Sequence, residues 1–362
     1  MSRTHLYPIA QALLAAALFG TSAPLSKLLL GEVQPIPLAA LLYLGSGFGM
    51  LMYRAVRRGG VQAGEAEASV SGTDVPWLAG AVLTGGVAAP IVLLFSLRTT
   101  PAATASLLLN FEGVATTLIA VLAFKESSSR RVWGAIACVT LASILLSWQA
   151  NAEWGISLGA LGIVAACVLW GLDNNFTRNV SAKDPTVIVM IKGLAAGAFS
   201  LVLTALLGQP LPGIGVVLGS LLLGAVSYGL SIMLFVHAMR GLGSARTSAL
   251  FGAAPFVGAA LSFLLFRESL GLLALIAAPL MAIGALLLVG EDHSHSHWHA
   301  ASEHEHRHVH DEHHNHTHQG GEAVPAGPHS HLHQHTPLRH THPHAPDIHH
   351  RHGHSETAER TD

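Results

Sequence analysis

Ten stretches of this chain, 8–30, 36–56, 77–97, 102–124, 132–148, 156–175, 187–207, 213–238, 244–266 and 270–289, are apolar over nearly their whole length. Each is close to the roughly 20 residues that a helix needs to cross a bilayer. No other feature narrows the fold as far. In hydrocarbon the backbone must satisfy its own N–H and C=O groups, so each stretch is expected as a helix and not as a strand of an open sheet. The fold class that follows is an all-α membrane protein with ten transmembrane helices. The first stretch follows Arg3, as the apolar part of a signal peptide would, but it is long for that role and nine more follow; it is read as an uncleaved span.

The ten divide into two fives. Phe124-Lys125-Glu126-Ser127 closes the fourth stretch, and Phe266-Arg267-Glu268-Ser269 closes the ninth, 142 residues later. At the same offset Arg98 falls on Arg240, Ala103 on Ala245, Ser106 on Ser248 and Leu108 on Leu250, the sparse but ordered matching of an old duplication. Glu112 has Ala254 as its counterpart. With the N-terminus inside, the inner loops carry eleven lysines and arginines (among them Arg54, Arg130, Arg131, Arg178 and Lys183), and the outer loops carry three, Lys27, Arg98 and Arg267. Both termini are then cytoplasmic. Five spans per half is an odd number, so the second half is expected upside down relative to the first, as two inverted five-helix repeats. The domains expected are 1–148 and 149–290 for the repeats and 291–362 for a polar tail. The membrane expected is the inner (plasma) membrane.

Charged residues make up 11% of the chain, against about 25% in an ordinary soluble domain, and they thin out over the first 290 residues. No concentrated basic patch points to nucleic acid. Cys138 and Cys167 fall in separate apolar stretches and read as small buried side chains. Gly193 and Gly197, and Gly215 and Gly219, stand four apart, the spacing that lets helices approach closely. No nucleophile–base pair, phosphate loop or cofactor motif is present, so an enzyme is not expected and no cofactor is required.

The sixth stretch ends Trp170-Gly171-Leu172-Asp173-Asn174-Asn175-Phe176-Thr177-Arg178, and the first holds a weaker version, Phe19-Gly20-Thr21-Ser22-Ala23-Pro24-Leu25-Ser26-Lys27. Pro255 and Glu268 stand in the ninth; Glu126 closes the fourth, where Glu112-Gly113 takes the place of the proline. Over residues 8–290 the chain resembles the EamA branch of the drug/metabolite transporter superfamily. The resemblance implies a secondary transporter, often an exporter of small metabolites or drugs, embedded in the lipid bilayer and handling a small-molecule substrate. It does not name the substrate.

Three ionisable residues lie away from span ends: Glu112, Asp173 and Lys192. Each costs about 2.5–3.5 kcal/mol on insertion scales, so each is expected to face the bundle interior or a water-filled hollow. Asp173 and Lys192 flank the inner loop at nearly equal depth, about 10 Å at 1.5 Å per residue, which makes them candidate partners. Asn174 and Asn175 add donors and acceptors beside Asp173. The pair reads either as a structural tie between spans six and seven or as a polar wall of a substrate cavity. Glu112 sits near the middle of its span with no partner on neighbouring turns. A carboxyl loaded with a proton from one side and unloaded to the other can couple proton flow to transport. The alternative is a permanently protonated Glu bonded to a serine or a carbonyl. Glu126 and Glu268, at span ends, read as interfacial caps.

After Gly290 the composition changes. The last 72 residues hold 23 of the 25 histidines, with too few apolar residues to bury a core, and are expected to be disordered. His293, His295, His297, His299, His304, His306, His308, His310, His313, His314, His316 and His318 recur mostly every second residue. Neutral imidazole suits zinc, nickel and cobalt, so these histidines are candidate ligands for labile divalent ions, weakened by acid. Three functions remain open: a metabolite or drug exporter with an accessory tail, a divalent metal (nickel, cobalt or zinc) transporter fed by the tail, and a membrane-anchored metal buffer. The body carries no histidine in its spans apart from His237 at a helix end, which favours the first. A homodimer is compatible with such a body but not demanded by it.

Overall fold

The computed structural model describes residues 3–57, 69–124, 130–148, 157–180, 183–242, 247, 250–267 and 271–289, and in the tail four strands. Helices α1 (Arg3–Gly20) and α2 (Ser22–Leu29) form the first span, α3 (Pro35–Arg57) the second. The third is assembled from α4 (Val75–Ala81), a π-helical turn (Val82–Ala88) and α5 (Ala89–Leu97). Then come α6 (Ala102–Leu108), α7 (Phe111–Phe124) and α8 (Arg130–Ser147). The second half runs α9 (Leu158–Arg178), α10 (Pro185–Leu206), α11 (Ile214–Leu223), a second π-helical turn (Gly224–Leu230), α12 (Ser231–Leu242), α13 (Ala254–Phe266) and α14 (Leu272–Val289). Eight helical segments are long and apolar enough to cross a membrane; α13 and α14 are shorter apolar helices where the ninth and tenth spans were expected.

The duplication is visible in the backbone. The two π-helical turns stand 142 residues apart, as do α8 and α14 at both their ends. The first turn has a local cause. The Ala89 N–H reaches back five residues to the Thr84 carbonyl, and Pro90 has no N–H to give. Neither residue therefore supplies the ladder donor for Gly85, and its carbonyl is left for side chains.

Helix approach depends on missing side chains. A Cβ on Gly193 would press into the Gly47 backbone, and one on Gly197 into Leu44, so α10 lies against α3 through that pair of glycines. Gly215 and Gly219 have no atom within 4 Å of where a Cβ would stand, so the same spacing on α11 packs against nothing among the described residues. One crossing is made twice: Gly20 fits against Ala254 and Val257 of α13, and Gly171 against Ala115 and Thr116 of α7. The apolar core between these helices includes Leu38, Leu42, Leu94, Leu97, Leu108, Ile163 and Met281, all fully buried. Cys138 and Cys167 are free thiols.

Polar contacts sort the loops to two ends. Arg54 pairs with Asp184 at 3.3 Å, and Lys183 with Asp74 at 3.8 Å. Lys27 donates to the Thr100 carbonyl, and Arg98 Nη1 lies 3.5 Å from Gln34 Oε1.

Strand β1 (His293–His299) pairs antiparallel with β4 (Leu338–His344), and β2 (Ser302–His308) with β3 (His329–His335). The two-residue alternation that spaces the histidines is also the period of a strand. His293, His295, His297, His299, His304, His306 and His308 belong to these strands; His310, His313, His314, His316 and His318 lie outside the described residues, as do Glu126 and Glu268.

Candidate functional site

The fourth span is not one helix. α6 stops at Leu108 and α7 starts at Phe111, with the Asn110 N–H bonded to the Leu107 carbonyl and the Glu112 N–H to the Leu109 carbonyl. Glu112 therefore stands in the first turn of a half-helix, where backbone N–H groups favour a negative charge. The sequence alone showed it in mid-span and without a partner. The partner comes from α9: Asn174 Nδ2 donates to Glu112 Oε1 at 2.9 Å and also reaches Thr116 Oγ1 at 3.0 Å. Asn175, buried, donates through Nδ2 to the Thr116 carbonyl at 3.0 Å and the Gly171 carbonyl at 2.8 Å. Cys167 Sγ faces the Leu108 carbonyl at 3.7 Å. The seam between the broken span and α9 is thus polar along three turns.

On the next face of α9, Lys192 Nζ of α10 donates to Asp173 Oδ1 at 2.5 Å, and Thr177 Oγ1 donates to the same oxygen at 2.9 Å. Lys192 also reaches Thr177 at 3.2 Å. The Lys192 and Asp173 side chains are 17% and 8% exposed, so the ion pair is largely removed from solvent. A methyl carbon on Gly85 would lie 2.5 Å from Asp173 Cβ and closer still to its carboxylate, so only glycine lets the carboxylate rest on the first π-helical turn. The Gly85 carbonyl freed by Pro90 accepts Tyr43 Oη–H at 2.6 Å and Trp170 Nε1–H at 3.0 Å. The π-helical turn, α3 and α9 meet at this one residue.

Asn174 faces the bundle interior. At about 100° per residue it lies roughly 120–160° around α9 from Val168, Leu161 and Leu158. Those three are exposed apolar residues and mark the outward face. Asn174 is exposed all the same, and Glu112 half-buried, so the two border an internal hollow. Aromatic rings continue from there. Trp170 is one turn from Asn174 on the same face, and Tyr43 joins it at Gly85. Tyr43 and Tyr228 rings are 5.8 Å apart, Tyr228 and Phe19 6.0 Å, Phe19 and Phe251 5.3 Å, and Phe251 and Phe235 4.9 Å.

The sequence reading named Glu112, Asp173, Asn174, Asn175 and Lys192, and the fold brings all five to two adjoining faces of α9. It missed Gly85, Tyr43, Thr116 and Thr177. The signal for Gly85 was Pro90, five residues on inside an apolar run; nothing in the sequence marked the others. Among the described residues no three of His, Cys, Asp and Glu gather as a metal centre.

Long apolar helices, an internally repeated backbone and polar groups held between the repeats define a polytopic membrane protein. The EamA-like transporter family matches twice, over residues 6–148 and 157–290, and the chain belongs to that family. It is 27% identical over 289 residues, 76% of this chain and 83% of the other, to an uncharacterized transporter of Methanothermobacter thermautotrophicus (strain Delta H). One solved protein crystal structure superposes with a TM-score of 0.56 at 20% identity, covering 77% of this chain and 95% of that one; it shares the fold.

Proposed function

We propose that this chain is a secondary transporter of the inner (plasma) membrane that exports a small metabolite or drug-like substrate, with Glu112 as its proton-carrying group and the histidine tail as a cytoplasmic binder of divalent metal. The observation that carries the reading is the Glu112–Asn174 contact, 2.9 Å between the two repeats at the edge of an internal hollow. A carboxyl there is reachable from the hollow, sits at the end of a half-helix and has a counterpart, Ala254, that cannot titrate. Its partner amide donates one N–H to Oε1 and the other to Thr116, and Oε1 can accept that bond in either protonation state, so the proton is taken up and released at Oε2. Asp173 and Lys192 neutralise each other and form the fixed wall beside it.

Ten spans with both termini inside fit this reading. Arg54, Asp74, Lys183 and Asp184 share one end of the bundle and are the loops expected inside; Lys27, Gln34, Arg98 and Thr100 share contacts among the loops expected outside. The test is a growth and uptake screen of deletion and overexpression strains against metals, amino acids and drugs, followed by Glu112→Gln. The substitution keeps size and hydrogen bonding but removes titration. Gradient-driven transport should be lost while insertion and expression are kept; unchanged transport across the range from acid to neutral pH would remove Glu112 from the mechanism.

A further inference from the structure

The tail strands define a backbone register, and the histidines are matched to it. On the β1–β4 ladder His293 stands opposite His344, His295 opposite His342 and His297 opposite His340. On the β2–β3 ladder His304, His306 and His308 stand opposite His333, His331 and His329. The two ladders share one register: three residues on from His299, and three back from its partner Leu338, stand the partners Ser302 and His335. The histidines change phase in between. His299 and His304 are five apart, and an odd step moves them to the other face. His335 and His340 are also five apart, so both batches shift at the same place and histidine still meets histidine. Chelation along a single strand has no need of that match. The positions between the rungs, such as Ser294 opposite Pro343, Ser296 opposite Thr341 and Glu303 opposite Gln334, supply no apolar face. A two-stranded ribbon is marginal in water, and closing the 309–328 stretch between β2 and β3 adds an entropic cost. Pairing of this kind needs another source of free energy.

We infer that the two histidine batches, 293–308 and 329–344, bind divalent cations jointly, one ion between adjacent His–His rungs of each ladder, and that this binding holds β1 to β4 and β2 to β3. Directly opposed residues have Cβ atoms about 4.5–5.5 Å apart, and residues two along a strand are about 6.5–7 Å apart. The centre of two adjacent rungs is thus about 4 Å from each of four histidines, a span that an imidazole and a metal–nitrogen bond of about 2.0–2.1 Å can bridge. The donor set on that face is nitrogen alone, since Glu303 and Glu305 alternate with the histidines of β2. Such a set takes zinc, nickel, cobalt or copper, and not magnesium or calcium, which take oxygen. The inference rests on the reading of the tail as a metal binder and adds that His329 to His344 are ligands as much as His293 to His308. Outside the tail no three of His, Cys, Asp and Glu gather among the described residues.

The experiment uses purified full-length protein in micelles, with zinc chloride as the probe. Zinc retained after desalting is counted by elemental mass spectrometry, and amide exchange is followed with and without the metal. Three variants address the β1–β4 ladder: His295→Asn with His297→Asn, His340→Asn with His342→Asn, and all four together. Each double variant should lose one retained ion, and the fourfold variant should lose no more than either double, because the two halves make one site. His299→Asn with His335→Asn is the control. It removes two histidines whose partners are Leu338 and Ser302, and it should keep every retained ion. Zinc should slow amide exchange in 293–299 and 338–344 together, and either double variant should abolish the slowing in both. Losses that add between the two strands, a control that loses as much as a double variant, or protection confined to one strand overturns the inference. If the full-length chain retains more zinc than one truncated after Gly290 but the losses add, the inference falls and the tail remains the metal binder. If the two chains retain the same amount, the tail reading falls and the inference with it.

Discussion

Gly85→Ala is one methyl group, and the structure sets what it must displace. The new carbon would stand 2.5 Å from Asp173 Cβ, against about 3.5–4.0 Å for carbons in ordinary contact, so one side must retreat by roughly 1 Å. Backbone holds both sides, and the carboxylate is the part free to turn. Turning it breaks the 2.5 Å bond from Lys192 and the 2.9 Å bond from Thr177. Forcing a methyl into a packed site costs about 1–3 kcal/mol. Removing one partner of a buried ion pair costs about 3–5 kcal/mol, an upper bound here because both charges survive and can pair again. A net loss of about 2–4 kcal/mol is expected, together with loss of transport, because the wall beside Glu112 moves. Gly215→Ala is the control: nothing lies within 4 Å of its Cβ, and the same substitution in an open helix should be neutral or stabilising by up to about 1 kcal/mol. Equilibrium unfolding in mixed micelles, followed by tryptophan fluorescence, measures both. In an Asp173→Ala background the carboxylate part of the overlap is gone, so the Gly85→Ala penalty should shrink. A Gly85→Ala protein within about 0.5 kcal/mol of wild type, or an equal penalty in both backgrounds, would refute the placement of Asp173 on that turn.

Pro90→Ala restores an N–H that can compete for the Gly85 carbonyl; Tyr43 and Trp170 should then lose their shared acceptor, seen as a changed Trp170 emission relative to a Trp170→Phe blank. Either Asp173→Asn or Lys192→Gln strands a charge and should lower expression or activity, and the double variant should recover part of the loss; a double variant as inactive as the worse single one, though well expressed, would mean the two act on substrate separately. A reporter active only outside the cytoplasm, fused after Gly290, should be silent, and strong activity would overturn the orientation. Full-length protein should bind several more zinc or nickel ions than a chain truncated after Gly290. Histidine gains its proton as pH falls through about 6.5, so that difference should be present at neutral pH and fade towards pH 5. Equal binding by both forms would remove the tail as the metal site.

Much of this protein could be read before it was seen folded. The ten apolar stretches were legible because lipid leaves a backbone few options, and the duplication because Phe-Lys-Glu-Ser and Phe-Arg-Glu-Ser survive in it. Glu112, Asp173 and Lys192 stood out because a charge in an apolar run is costly whatever its neighbours. Partnership was harder. Asp173 and Lys192 could be matched by depth, since the short loop between their helices sets their relative height. Glu112 could not, because its partner is 62 residues away on a helix of the other repeat. The break at Leu109–Asn110 that places Glu112 in a first helical turn has no proline or glycine to announce it. Gly85 is the clearest case of what only the tertiary structure decides. The sequence shows a glycine in an apolar helix, which is ordinary. Packing makes it the surface on which Asp173 rests and the acceptor for Tyr43 and Trp170, because two other helices, α3 and α9, arrive at that one carbonyl and that one missing side chain. Local chemistry determined which segments are helices and which charges needed an explanation; the close approach of distant helices decided what those charges touch.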